Sequence, residues 1–225
     1  MLSDSAREGL LSLGAFREYS TGSTLFMEGD TSNHVFVLHA GWVKVVADAE
    51  EGGHALLALR SRGDLVGEQA ALENEPRSAS VTSASLVRVS VIRQGAFLQY
   101  LAEHPDVHLA VTRVLSAKLR SATRRRIDVD FSGLPVLVRL ARVLSELARM
   151  NSQPTSEGTE LGYALTQPEL AALVGVSEPS VQRALRSLRD RGVLDTGYRR
   201  ITIRDMAALK SIAGPGWHSG QESIR

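Results

Sequence analysis

Short apolar runs separated by Gly- and Asp-containing breaks dominate the first part of the chain. Thr24-Leu25-Phe26, Val35-Phe36-Val37-Leu38, Trp42-Val43-Lys44-Val45-Val46, Ala55-Leu56-Leu57-Ala58-Leu59 and the run from Leu86 to Ile92 have the composition of strands. Gly29-Asp30, Gly41, Glu51-Gly52-Gly53 and Gly63-Asp64 separate them, at roughly the ten-residue rhythm of a β-sandwich or jelly roll. Ser5 to Leu13 fits a short helix ahead of these strands, and Phe26, Phe36 and Trp42 fit the core. From about Gln94 the period becomes helical, with Pro105 suited to the first turn of a long helix. Along it, Val107, Val111, Val114 or Leu115, Leu119 and Ala122 make an apolar stripe. That stripe suits packing on the chain's own sandwich as well as on a second subunit.

Phe131-Ser132-Gly133-Leu134-Pro135 breaks the helical pattern and marks a hinge. Val136 to Met150 then forms an amphipathic helix with Leu137, Leu140, Ala141, Leu144 and Leu147 or Ala148 on one side, and the polar stretch Asn151 to Gly158 reads as a connecting loop. In Thr166-Gln167-Pro168-Glu169, Thr166 and Glu169 fit a capping box, and Gly175 ends the helix they begin. Ser177 is placed to cap the next helix, whose first turn accepts Pro179. Val181, Ala184, Leu185 and Leu188 then face inward, which turns Glu178, Ser180, Gln182, Arg183 and Arg186 outward. Two helices joined by a short turn containing Gly read as a helix-turn-helix, whose second helix enters a DNA major groove. Val193-Leu194-Asp195 and Ile201-Thr202-Ile203 flank Thr196 to Arg200 as a hairpin wing that brings Arg199 and Arg200 towards phosphate.

Charge and composition sharpen this picture in two places. The net charge of +1 gives no global attraction for nucleic acid, yet from Val181 to Arg204 seven Arg face two Asp. With no Cys, disulfides, iron–sulfur clusters and zinc-thiolate sites are excluded, and the lack of disulfides suits a cytoplasmic protein. No run approaches the length of a membrane span, and Met1 to Gly9 lacks the pattern of a signal peptide. The six His are scattered; His104 and His108, one helical turn apart, read as a solvent-facing pair rather than a metal site. With no cluster of nucleophile, base and metal ligands, an enzyme is not expected, and no catalytic or metal site and no cofactor is assigned.

The stretch from Val66 to Val81 interrupts the strand rhythm and carries candidate chemistry. Gly67 permits close backbone approach, the segment from Gly67 to Ala71 is short enough for one helical turn with free N–H groups, and Arg77 returns a fixed cation to it. Glu68 would repel a phosphate unless its carboxylate accepts hydrogen bonds from sugar hydroxyls. The ligand so defined carries phosphate and ribose.

Gly67-Glu68, the small pair Ala70-Ala71 and then Pro76-Arg77-Ser78-Ala79 resemble the phosphate-binding cassette of cyclic-nucleotide-binding domains. Together with the helix-turn-helix, the chain resembles the cyclic AMP receptor protein and Fnr family of bacterial transcription regulators nearly end to end. The resemblance implies an α+β protein: a cyclic-nucleotide-binding β jelly roll over residues 1–104, a long central dimerisation helix over 105–130, a hinge at 131–133, a winged helix-turn-helix over 134–213 and a loose tail over 214–225. It implies that Gly67, Glu68, Ala70, Arg77 and Ser78, with Gln69 among them, hold a cyclic phosphate and a ribose hydroxyl. The base would be met by the far part of the central helix. Matching outward from Arg113-Val114-Leu115 places Thr123 at one of two hydroxyl positions and Ala122 at the other, whereas matching from Arg139-Leu140-Ala141 selects Arg124 and Arg125. The expected partners are a palindromic DNA operator, a second copy of the chain and RNA polymerase, without a membrane. The DNA-contacting set is Thr166, Gln167, Ser177, Glu178, Ser180, Gln182, Arg183, Arg186, Arg199 and Arg200. Cyclic AMP is the first ligand expected; the alternatives are cyclic GMP, cyclic di-GMP, haem on a residue such as His39, or DNA binding without a ligand. A nucleotide-binding module acting through protein partners is the alternative from another class.

Overall fold

The computed structural model of the protein describes residues 4–48, 54–130 and 133–214. These form two compact units that divide within one long helix, between Leu119 and Arg120.

The first unit opens with α1 (Asp4–Ser12) and continues through β1 (Ala15–Tyr19), β2 (Thr24–Phe26), β3 (Val35–Ala40), β4 (Trp42–Asp48), β5 (His54–Ser61) and β6 (Leu65–Val66). A short helix, α2 (Glu68–Glu73), precedes β7 (Ser80–Ser83) and β8 (Val87–Ile92), after which come α3 (Gln94–Glu103) and α4 (Pro105–Asp130). The strands make two antiparallel sheets in the orders β1-β8-β3-β6 and β2-β7-β4-β5. Strand β3 explains the arrangement best. Phe36 and Leu38 pack with Phe26, Val43, Val66 and Val81 in the space between the sheets. Val35 and Val37, on the opposite face of the same strand, pack with Leu10, Phe97, Leu101, Val107, Val111 and Val114 from the helices. A strand buried on both faces shows a continuous apolar run rather than alternation, as Val35 to Leu38 does.

The apolar stripe of α4 therefore divides. Val107, Val111, Val114 and Ala117 are buried, while Leu119, expected on the same stripe, is 69% exposed; Ala122 is exposed too. The buried register instead runs on through Lys118.

The second unit holds the remainder of α4 and α5 (Val136–Met150), then β9 (Ser152–Thr155), β10 (Gly158–Leu161), α6 (Gln167–Val174), α7 (Glu178–Asp190), β11 (Leu194–Gly197), β12 (Arg200–Ile203) and α8 (Met206–Ala213). Leu140, Ala141, Leu144 and Leu147 of α5 are buried, as are Leu170, Leu173, Val181, Leu185 and Leu188 of α6 and α7. The polar stretch after α5 is not a loop: β9 and β10 form a hairpin that extends the wing into a four-stranded sheet, β11-β12-β10-β9. Pro154 is accommodated because β9 is an edge strand, where a missing N–H leaves no ladder bond unmade. Asp205 caps α8, its carboxylate accepting from Ala208 N–H at 2.8 Å, and Arg142 Nε donates to the Ala213 carbonyl at its end at 2.9 Å. Of the expected hinge, Gly133 adopts a positive φ of 57°, whereas Phe131 and Ser132 lie outside the described residues. So does the tail beyond Gly214.

Candidate ligand cassette and DNA-reading face

The cassette starts where β6 ends. Gly67 occupies the N-cap position of α2 with φ of 81°, in the left-handed region. A Cβ at this position would overlap the Arg77 guanidinium and lie 2.9 Å from the His34 carbonyl oxygen. Both conformation and space thus require glycine. Through this gap Arg77 reaches inward: one terminal nitrogen donates to the Gly67 carbonyl at 2.8 Å and the other to the His34 carbonyl at 2.7 Å. The guanidinium carbon lies 4.2 Å from the centroid of the Phe26 ring, so the residue expected only to fill the core also carries the cation on its face.

Arg77 is 3% exposed, and its Nε–H is buried without a hydrogen-bond partner among the described residues. Burial lowers its pKa from the ordinary arginine value, and the carboxylates of Asp30 and Glu68 partly offset this.

Glu68 is also 3% exposed. Its Oε1 accepts from Lys118 Nζ at 2.7 Å, and the same ammonium donates to the Leu65 carbonyl at 2.8 Å. Burial lowers the pKa of Lys118, Glu68 opposes that shift, and the nearby Arg60 adds to it. The sequence offered a signal for Lys118, a cation at the next step of the stripe through Val107, Val111 and Val114. Ala70 and Ala71 lie on the buried side of α2. Gln69 and Ser78 are exposed, with Ser78 Oγ 3.4 Å from Gln69 Oε1. Thr123 and Arg124 are exposed on the part of α4 that belongs to the second unit; nothing is described of the Arg125 side chain.

In the second unit, Thr166 and Glu169 form the capping box, with Glu169 Oε2 accepting from Thr166 N–H at 2.8 Å. Gly175 ends α6 with φ of 70°. Ser177 takes the N-cap position of α7 but makes no side-chain cap; its hydroxyl instead lies 3.0 Å from that of Ser180. Ser180 Oγ in turn accepts from an Arg183 terminal nitrogen at 3.1 Å. Gln167 Oε1, at the first position of α6, accepts from Gln182 Nε2 at 2.6 Å. Glu178, Gln182, Arg183 and Arg186 are exposed on α7, and Arg199 and Arg200 on the wing.

Two of the counted arginines brace the wing instead of extending from it. Arg189 donates to Thr196 Oγ1 at 3.0 Å, and Arg204 pairs with Asp195 and, at 3.6 Å, with Glu157. Helices α6 and α7 and the wing border a cleft of about 410 Å³, floored by Leu165, Leu170, Leu185 and Ile201 and rimmed by Gln167 and Arg200.

His39 Nε2 is 2.8 Å from Ser90 Oγ, and the His104 ring lies 4.0 Å from that of Tyr100. Among the described residues no group of three or more His, Asp or Glu could hold a metal ion, and no helix is long and apolar enough to cross a membrane.

Comparison with known proteins agrees with both halves. Residues 16–104 match the cyclic nucleotide-binding domain and residues 138–212 the Crp-like helix-turn-helix domain. A CRP-like cAMP-activated global transcriptional regulator of Mycobacterium tuberculosis is 28% identical over 192 residues, covering 85% of each chain. The cAMP-activated global transcriptional regulator CRP of Salmonella typhimurium is 26% identical over 202 residues, covering 89% of this chain and 94% of that one. The fold is shared with a CRP-family transcriptional regulator from Thermus thermophilus, at a TM-score of 0.75 and 24% identity over 90% of this chain and 99% of that one. It is shared too with the c-di-GMP responsive global regulator CLP of Xanthomonas campestris, at 0.72 and 23% over 89% and 99%. A cyclic-nucleotide-binding module joined to a helix-turn-helix defines a cyclic nucleotide-binding transcription regulator. The chain belongs to the Crp/Fnr family of bacterial transcription regulators.

The buried pair gives a direct stability test. Glu68→Gln leaves the Lys118 ammonium buried without its counter-charge and is expected to lower the unfolding free energy by about 3 kcal/mol in urea melts. Adding Lys118→Met to that variant is expected to recover most of the loss, because the unpaired charge is removed.

Proposed function

We propose that the protein is a homodimeric regulator in which a cyclic nucleotide, cAMP first among the candidates, binds the cassette and shifts the molecule towards its operator-binding state. The carrying observation is the buried Nε–H of Arg77, which has no hydrogen-bond partner among the described residues while both terminal nitrogens hold backbone carbonyls. A buried donor on a cation costs free energy until an acceptor arrives, and an anionic phosphate oxygen is the strongest such acceptor. Because Lys118 already pairs with Glu68, Arg77 is the cation that would meet a ligand, with Asp30 offsetting part of its charge, and one such cation suits the single negative charge of a cyclic mononucleotide. In this reading Gly67, Gln69, Ala70 and Ser78 surround the phosphate, Glu68 accepts from the ribose hydroxyl, and Thr123 and Arg124 meet the base. The proteins from Mycobacterium and Salmonella are named as cAMP-activated, which supports cAMP. The Xanthomonas protein is named as responsive to c-di-GMP, which makes that dianion the necessary competitor.

Exposed Leu109, Leu119 and Ile127 of α4 supply the apolar surface for a second copy. Two α7 helices would then enter successive major grooves of a palindromic operator, with Thr166, Gln167, Ser177, Arg199 and Arg200 against phosphate and Glu178, Ser180, Gln182, Arg183 and Arg186 towards the base edges. Positioned on its operator, the dimer would act through RNA polymerase. A second reading, DNA binding without any nucleotide, draws support from the Glu68–Lys118 pair, which already satisfies the carboxylate inside the protein.

Calorimetric titration with cAMP, cGMP and c-di-GMP separates these. The proposal expects stoichiometric binding of one cyclic mononucleotide per chain, weakened more than tenfold by Arg77→Lys and abolished by Arg77→Ala. Absence of heat with all three, alongside normal operator binding, favours the second reading. Arg183→Ala is expected to weaken operator binding by about 1–3 kcal/mol in gel-shift titrations while leaving nucleotide affinity unchanged; loss of both properties together would contradict the assigned roles.

A further inference from the structure

Two exposed side chains on the DNA-reading face are held by a partner from another helix. We propose that Gln182 reads an adenine in each operator half-site and that Gln167 is the positioning residue that presents its carboxamide. This rests on the reading of α7 as the recognition helix. The geometry is the 2.6 Å hydrogen bond in which Gln182 Nε2 donates to Gln167 Oε1. A primary carboxamide has two N–H donors and one carbonyl oxygen, held in a plane. The Gln167 contact consumes one N–H. With the N–H anti to the carbonyl given to Gln167, what remains is an N–H beside a C=O, the pair that matches adenine N7 and N6–H₂ in the major groove.

A free glutamine at an exposed helix position samples several rotamers, and fixing a long side chain costs entropy. Anchoring Gln182 to the first residue of α6 meets that cost before DNA arrives. The anchor also ties the base reader to the helix terminus next to the DNA backbone, because the Gln167 carboxamide keeps its own two N–H donors for a phosphate oxygen. Arg183, the next residue, is steadied separately through Ser180. The two readers therefore have independent supports, and a change in one is expected to alter one base position only.

The test is selection of duplexes from a random-sequence library by the full-length chain with saturating cyclic nucleotide, for wild type, Gln182→Leu, Gln167→Leu and Gln167→Glu. Wild type is expected to enrich a palindrome with one symmetric A·T position per half-site at which adenine is preferred roughly 5- to 150-fold. Gln182→Leu erases that preference and Gln167→Leu reduces it at the same position, with the other positions retaining theirs. Gln167→Glu, whose carboxylate still accepts from Gln182, keeps the adenine preference although it repels phosphate and lowers affinity. An enriched palindrome in which no adenine position depends on Gln182, or in which Gln167→Leu and Gln167→Glu behave alike, overturns the inference and leaves the regulator reading intact. Enrichment of no sequence by the wild type defeats both.

Discussion

One buried guanidinium organises the ligand unit. Arg77 is drawn into the protein by two backbone carbonyls and an aromatic face, yet it is left with an unanswered donor. Burying a cation is costly, and the structure offsets that cost only in part. In the proposed reading, the anion that completes the shell supplies the remainder. Two neighbours follow from seating this cation: glycine at position 67, where a Cβ would overlap the guanidinium, and Phe26, whose ring lies against it.

The adjacent Glu68–Lys118 pair has a different character. It joins the start of α2 to α4 within the same unit, so the carboxylate expected to meet a sugar hydroxyl is already engaged by the helix that continues into the second unit. Any ligand that competes for the Glu68 carboxylate also acts on Lys118, and through it on α4. In the DNA-reading unit four polar side chains are likewise engaged within the protein, Gln182 on Gln167, Arg183 on Ser180, and Arg189 and Arg204 on the wing. Preorganised side chains lose less entropy on binding.

Much of this architecture was legible in the sequence because its signals are local. The Thr166–Glu169 capping box, the Gly175 terminus and the inward series Val181, Leu185, Leu188 depend on residues within one or two helical turns. Strands buried on both sides, such as β3, declare themselves by unbroken apolar runs. What was hidden lacks such signals. Strand β1 is an edge with four exposed residues in five and β6 spans only two residues; both owe their pairing to neighbours distant in sequence. Strand β9 pairs locally with β10, but its polar composition and Pro154 disguise it as a loop. The role of Lys118 was obscured in a different manner. An apolar stripe is naturally continued through the next leucine, Leu119, whereas the fold continues it through a lysine whose charge is answered fifty residues upstream.

The claim that Arg77 waits for an anion is tested most directly by following its Nε–H in ¹H–¹⁵N spectra, assigned by its absence in Arg77→Lys, as cAMP is added. A hydrogen bond to phosphate predicts a marked downfield proton shift and slowed exchange that saturate at one ligand per chain. An Nε–H resonance that stays unmoved while cAMP binds elsewhere on the protein would contradict the account.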